Sequence, residues 1–527
     1  MKHKNIGLLA ICLLTIFCGC NQKKESGKTV DLKNKDYYTE KYRPQFHFSP
    51  DSMWMNDPNG MVYYEGEYHL FYQYYPDSTV WGPMHWGHAV STDLVHWEHL
   101  PIALFPDEHG YIFSGSAVVD WNNTSGLGKD GQPPLIVIFT YHEPKGEKAG
   151  KIDFQTQGIA YSNDKGRTWT KYGEPVLKNP GIRDFRDPKV SWYEDSKKWI
   201  MTLAAQDHIE FYSSPNLIDW KHESGFGKEL GAHGGVWECP DLFQMTVKGT
   251  NEKQWVLLVS INPGGPNGGS ATQYFIGDFD GSTFTTNQTE TKWIDYGRDN
   301  YAGVTWSDIP ESDGRKLFLG WMSNWSYATV VPTEKWRSAT TLPRELSLQK
   351  NENGYYLVST PVSELAGLRG EKVELLSQMI SGNVSVDIKN IKVPRSEMVF
   401  RFQQKSNSQF GVPEEFGIKL SNEKGETFKI GYSPVNKTFF TDRTRAGQSS
   451  FSNEFSGKSI AYYELQNLME VRIFVDEASV EVFVDNGKLV MTDIVFPTEP
   501  YNKLELYSTN GAFKLDSAEI WSLESIW

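Results

Sequence analysis

The sequence predicts an all-β protein, a β-propeller followed by a β-sandwich, and three observations carry that prediction. From about Tyr42 onward the chain is a succession of short alternating strands cut by Gly, Pro, Asn and Asp, and no long stretch keeps a helical period. An irregular repeat, Ser91-Thr92-Asp93-Leu94-Val95-His96-Trp97, returns in altered form at Ser162–Trp169 and Ser214–Trp220. Each copy is a polar turn followed by a Trp that can pack between sheets, as in successive propeller blades. After Leu342-Pro343-Arg344-Glu345-Leu346 the texture changes to a second β-rich region. It contains Val471–Asp476, Ser479–Val484 and the hairpin turn Asp485-Asn486-Gly487, which fit a two-sheet sandwich.

In chain order, Lys2, His3 and Lys4 precede an apolar run, Ile6 to Phe17, too short to span a bilayer. The run closes in Phe17-Cys18-Gly19-Cys20 and turns polar at once, which resembles a bacterial lipoprotein signal. That resemblance implies a signal over 1–19, a lipidated Cys20, and an exported protein anchored on the periplasmic or cell-surface side of a membrane. A plain secretory signal cut nearby is the alternative, and it too implies export. Residues 20–40 are polar and lysine-rich and read as a tether. The propeller is expected over 41–355, a connector over 356–370 and the sandwich over 371–527.

A hydrophobic share of 39% against 22% charged residues describes a globular chain with material for sizeable cores. The formal charge of −14 argues against nucleic acid or an anionic surface as the main partner, since both need basic patches. Of the four cysteines, Cys12 and Cys18 leave with the signal and Cys20 carries lipid. Cys239 is then alone in the body, without a disulfide partner or the ligands of a cysteine zinc site. His85 and His88 are spaced as a metal pair only on a helix. No third ligand accompanies them, so neither metal nor cofactor is expected.

The chemistry concentrates in three carboxylate motifs: Trp54-Met55-Asn56-Asp57-Pro58-Asn59-Gly60, Phe185-Arg186-Asp187-Pro188 and Trp237-Glu238-Cys239-Pro240. Singly, the first reads as an Asx-turn and the second as a structural ion pair. Together, in this order and at this spacing, they resemble glycoside hydrolase family 32, the β-fructofuranosidases that include invertases, inulinases and levanases. The resemblance implies five blades and hydrolysis of β-fructosidic bonds with retention, which requires two carboxyl groups about 5–5.5 Å apart. Only strands converging on a central funnel bring residues so distant in sequence that close.

Asp57 is the expected nucleophile, kept ionised by Asn56 and backbone donors. Glu238 is the expected acid/base, its apolar flanks Val236, Trp237, Cys239 and Pro240 favouring the neutral form. Asp187, coupled to Arg186, is expected to stay ionised and clamp sugar hydroxyls. The resemblance extends to Phe71-Tyr72-Gln73-Tyr74 with Trp81, to Phe113-Ser114-Gly115-Ser116 and to Gly320–Trp325. It implies substrate contacts from Gln73, Trp81, Phe113, Ser114 and Trp325, beside Trp54, Asn56 and Arg186. The substrate expected is a fructan, levan or inulin, and sucrose, attacked from the chain end. An endo-acting fructanase with the same acids, an inverting five-bladed enzyme of arabinose or xylose polymers, and a non-catalytic glycan-binding surface protein are the rival readings.

Overall fold

The computed structural model describes residues 38–403 and 411–527; the expected signal, Cys20 and the tether up to residue 37 lie outside them. Five separate sheets of mostly antiparallel strands follow one another along the chain, and each is a blade. Their innermost strands are Met53–Tyr64, Tyr111–Val119, Phe185–Tyr193, Val236–Thr246 and Tyr301–Thr305. Each packs against the next, and the last against the first, so the ring is closed. Backbone bonds fasten the seam: Tyr63 N–H donates to Ser307 O (3.0 Å), Ser307 N–H to Met61 O (2.9 Å), and Trp336–Arg337 pairs with Met53–Trp54.

The wedge between each pair of blades is filled by its own apolar cluster, which is why nearly every inner strand reads as a continuous buried run. Phe71, Trp86 and Phe139 fill the first wedge, and Ile138, Phe185 and Trp199 the second. Phe211, Trp237 and Phe275 fill the third, and Val256, Phe318 and Leu348 the fourth. The seam between blades 5 and 1 is larger, because Phe46, Phe48 and the sandwich's Phe474 and Phe483 join Leu70, Leu317 and Trp321 there. The Ser/Asp/Trp repeats all lie at the turn between third and fourth strands. There Asp93, Asp164 and Asn216 each accept from the serine two residues earlier, at 2.7–3.1 Å. Asp280 makes the equivalent turn in blade 4, accepting from the backbone N–H of Ser282 and Thr283.

All five inner strands are interrupted at the same level by a bulge. The register slips between Met55 and Pro58, Ile112 and Gly115, Arg186 and Lys189, Glu238 and Asp241, and Tyr301 and Val304. A bulge inserts a residue, bends the strand and re-aims side chains that strict alternation would bury between sheets. Asp187 (φ +65°), Cys239 (+46°) and Ala302 (+52°) take left-handed conformations at these points, an arrangement uncommon for residues other than glycine. The bulge is thus the local device that turns blade residues toward the propeller axis.

Two boundaries differ from the sequence expectation. The fifth blade runs past residue 355: Gly354–Pro361 pairs along its length with Arg344–Asn351 and sends Leu357 into the fourth wedge. The first part of the expected 356–370 connector is therefore a strand, and the link shrinks to the short 3-10 turn Ser363–Leu368. At the other end, Tyr38 and Glu40 belong to the body, not to the tether, because Tyr38 stacks on Trp527 (3.9 Å between centroids) and Glu40 pairs with Arg43.

The second region is a sandwich whose two sheets share one strand. The 21-residue strand Lys503–Leu523 pairs with Glu415–Ser421 through its first third and with Ser396–Gln403 through its last half. It bends at Asn510, which is left-handed (φ +53°), and so passes from one sheet to the other. Phe402, Phe416 and Phe513 meet in the core between them. The turn at Asp485-Asn486-Gly487 is all left-handed, and a Cβ at Gly487 would lie 1.9 Å from Ser359 O of blade 5. Glycine is needed there for both reasons.

Propeller and sandwich meet across buried charge. Arg344, fully buried, donates to Asp295 (3.0 Å) and to Glu481 (2.5 Å) and Thr492 (2.7 Å) of the sandwich. Arg443 reaches back to Asp299 (2.5 Å) and to the Tyr327 hydroxyl (2.7 Å). His47 lies between Asp476 (2.7 Å) and Glu481 (2.9 Å). Burial opposes a charge on His47, but the bonds to Asp476 and Glu481 override it and hold its pKa up at about 9. A raised folded-state pKa stabilises fully below the unfolded value near 6.5 and is lost as pH climbs through 9. The expected result is a melting temperature that falls between pH 6.5 and 9, by the equivalent of roughly 3 kcal/mol, with a flatter profile in His47→Gln. Calorimetry of both proteins across that range measures it; equal slopes would contradict the assignment.

Candidate active site

The bulges of blades 1, 3 and 4 bring Asp57, Asp187 and Glu238 to one place beside the axis. Asp57 is buried and held by three donors. Ser114 Oγ donates to its Oδ2 at 2.6 Å, Asn56 Nδ2 to Oδ1 at 3.0 Å, and the Cys239 thiol approaches Oδ2 at 3.5 Å. Asn56 is fixed in turn by the indole N–H of fully buried Trp54 (2.7 Å). Asp187 has its N–H on Thr140 Oγ1 (3.0 Å) and its Oδ2 on the Cys239 backbone N–H (3.0 Å). The Cys239 thiol is also 3.6 Å from that Oδ2, so it sits between the two aspartates.

Glu238 is half-buried, and its surroundings differ from the expectation. Of its apolar neighbours in sequence, Trp237 is buried in the third wedge while Cys239 faces the two aspartates. The carboxylate instead accepts from Arg186 (Nη2, 2.9 Å) through Oε1 and from the Tyr301 hydroxyl through Oε2. The coupling of Arg186 to Asp187 is a long ion pair, and Arg186 is shared with two further carboxylates. The guanidinium bonds Asp184 (2.6 Å) and Glu238, and stands 4.0 Å from Asp187.

The electrostatics follow from crowding. Burial pushes the Asp57 pKa up, the Glu238 charge adds to that, and the donors Ser114, Asn56 and Cys239 pull it back. Asp187 rises to about 7: burial raises it, Arg186 lowers it, and Glu238 and Asp57 raise it again. Three carboxyl groups face one guanidinium, and Arg186 and the Cys239 backbone N–H oppose the rise for Asp187. That titration belongs to the cluster as a whole. Acid-assisted displacement at a glycosidic centre requires one ionised and one protonated carboxyl group.

Around the acids stand two aromatic walls. Trp325 lies over Trp54 (5.9 Å, 29°) and against buried Trp321, and the Trp325 backbone N–H donates to Ser270 Oγ (3.1 Å). Opposite, Trp81, 39% exposed, meets Phe113 edge-on (6.0 Å), and Phe113 lies flat on His142 (4.2 Å, 7°). Gln73 is buried and donates from Nε2 to Ile112 O (3.0 Å). Beneath the acids only about 10 Å3 remains between Asn59, Ser114, Asp187, Lys189 and Cys239, so the funnel has a floor. The 263–269 loop spans from this site to the sandwich, with Asn267 bonding Tyr296 O and Ile460 O. His85 bonds Pro83 O, while His88 is buried against Phe71 and His69.

Three participants were missed in the sequence. Cys239 between the aspartates and Tyr301 on Glu238 acquire their places only when strands from different blades converge, whereas Asp184 meets Arg186 from two residues away on the same blade. Cys239 alone carried a sequence hint, since it lies inside a motif.

The model for the glycosyl hydrolases family 32 N-terminal domain matches residues 47–361, and that for the family 32 C terminal matches 364–522. The chain belongs to glycosyl hydrolase family 32. It is 51% identical over 505 residues to a levanase of Bacillus subtilis, covering 95% of this chain and 73% of that protein. It is 38% identical over 529 residues to an extracellular exo-inulinase of Aspergillus niger, covering 93% and 96%. The crystal structure of exo-inulinase from Aspergillus awamori superposes with a TM-score of 0.85 at 36% identity, covering 93% of this chain and all of the other.

Because Ser114 favours the ionised form of Asp57, removing its hydroxyl raises that pKa further. In Ser114→Ala the acid limb of the kcat/KM profile is expected to move to higher pH by about one unit, the worth of one hydrogen bond to a charged group. An unmoved limb would show that Asp57 does not control it.

Proposed function

We propose that this protein hydrolyses β-fructosidic bonds of fructans, levan or inulin, and of sucrose, from the chain end and with retention. The observation that carries the reading is the convergence of Asp57, Glu238 and Asp187 on a floored funnel between aromatic walls. Its relatives named levanase and exo-inulinase support the substrate class. Asp57 attacks the anomeric carbon of the terminal fructosyl unit while Glu238 gives its proton to the departing glycosidic oxygen. A covalent fructosyl-enzyme forms and the rest of the chain leaves. Glu238, now ionised, takes a proton from water, whose oxygen displaces Asp57 and releases fructose.

Arg186 and Tyr301 hold the Glu238 carboxyl at the glycosidic oxygen. Asp187 accepts hydrogen bonds from sugar hydroxyls, and these tighten as the ring flattens toward an oxocarbenium ion. Trp81, Phe113 and Trp325 enclose the fructosyl unit.

Thin-layer chromatography of early products from levan, inulin and sucrose tests this. Fructose is expected to dominate and sucrose to be cleaved. A ladder of oligosaccharides with sucrose intact would reassign the enzyme as endo-acting on the same acids. Glu238→Ala is expected to lower kcat by about 10²–10⁴ and Asp57→Ala to remove turnover, with melting temperatures little changed. Near-normal rates in either would overturn the roles. Export with lipidation at Cys20 is part of the same reading, resting on the Gly19-Cys20 junction after the apolar run. Cys20→Ser is expected to move the protein from the membrane to the soluble fraction with its specific activity intact. Persistent membrane association would disprove the anchor.

A further inference from the structure

Below the funnel floor the inner strands continue to the opposite face of the propeller, where a second cavity of about 510 Å3 opens. Lys189 lines both this basal cavity and the small void under the acids. Its Nζ is tied to Thr305 O (2.5 Å) and lies 3.4 Å from Asp241 Oδ2, so the basal cavity is not an extension of the funnel.

Three independent features distinguish the basal cavity from a solvent crevice. Asp241, which lines it, is fully buried. Its Oδ2 accepts from Thr305 N–H (2.6 Å) and Oγ1 (2.8 Å), while its Oδ1 has no hydrogen-bond partner. Buried carboxylate oxygens are almost always satisfied, so this one calls for a donor from the cavity.

The charged lining residues balance: Lys189, Arg315 and Lys316 against Asp241, Asp308 and Glu311. A cation would meet the three basic groups and an anion the three acids, so a neutral ligand that both donates and accepts fits best. At the mouth, Trp121 is 59% exposed, yet its indole N–H is fixed by Asp308 Oδ1 (2.8 Å) and its ring rests on Tyr64 (5.8 Å). A rigid aromatic face in water beside polar groups suits the C–H face of a sugar. The volume lies within the range of small-ligand sites, ~300–1,000 Å3.

We propose that the basal cavity is a second carbohydrate-binding site. It takes a neutral fructosyl end or short fructo-oligosaccharide, with a hydroxyl donating to Asp241 Oδ1 and the sugar's apolar face on Trp121. The ligand class rests on the fructan reading above; the presence of a neutral polyol site rests on the cavity alone. Such a site holds a second stretch of polymer on the face opposite the acids.

Titration calorimetry of the full chain with 1-kestose tests it. In Asp57→Ala protein, which binds without turnover, two sites are expected. Adding Trp121→Ala should leave one, the basal affinity falling by about tenfold or more. Trp121→Ala in the otherwise native chain should keep its sucrose turnover, which shows that the fold and the funnel are intact. One site in both proteins, or two sites unaffected by Trp121→Ala, would overturn the proposal. No 1-kestose binding in a chain that is also inactive on sucrose would sink the fructan reading and this ligand with it.

Discussion

Three carboxyl groups gathered beside one guanidinium repel each other, and everything else in the molecule is arranged to keep them there. Left to relax, Asp57, Asp187 and Glu238 would separate or take up protons until their charge was tolerable. They are held because each is gripped from a different direction by groups that cannot move. Ser114 and Asn56 hold Asp57, the Cys239 backbone holds Asp187, and Arg186 and Tyr301 hold Glu238. Those groups sit on inner strands wedged between apolar clusters. The ring they form is closed by backbone hydrogen bonds at the seam of blades 5 and 1, so no strand can yield without opening a packed wedge.

The boundary with the sandwich answers the same problem in the opposite way. There the charges are of both signs and nearly matched, with Arg344, Arg443 and His47 against Asp295, Asp299, Asp476 and Glu481. Buried ion pairs of this kind add little net stability over well-packed apolar groups, but breaking one leaves a charge stranded. Their effect is to specify one docking position. The funnel has an excess of one sign and so stays reactive; the interface is compensated and so stays inert.

What was legible in the sequence depended on whether a residue's role is local. Strand alternation, the Ser/Asp/Trp turns and the three carboxylate motifs are local, and they were enough to give the architecture and the acids. Tyr301 carries no motif, since its role is defined by a carboxylate one blade away. The pairing of Arg186 with Asp187 was legible because it is local, whereas the shorter bond from Arg186 to Glu238 crosses between blades and was not. The blade boundary at 355 was misplaced because an outer strand and a connector share the same mixed texture. The link from His47 to Glu481 joins positions so remote that no pattern in the chain announces it.

The buried charge between propeller and sandwich also bears on how such a chain changes over generations. A deletion removing the sandwich would leave Arg344 and Asp295 facing water on one side and a torn apolar seam, with Phe46 and Phe48 uncovered, on the other. Neither half is a finished surface. A sandwich put in place of this one would have to bring an acid to Arg344 and a base to Asp299, the parts that Glu481 and Arg443 play here.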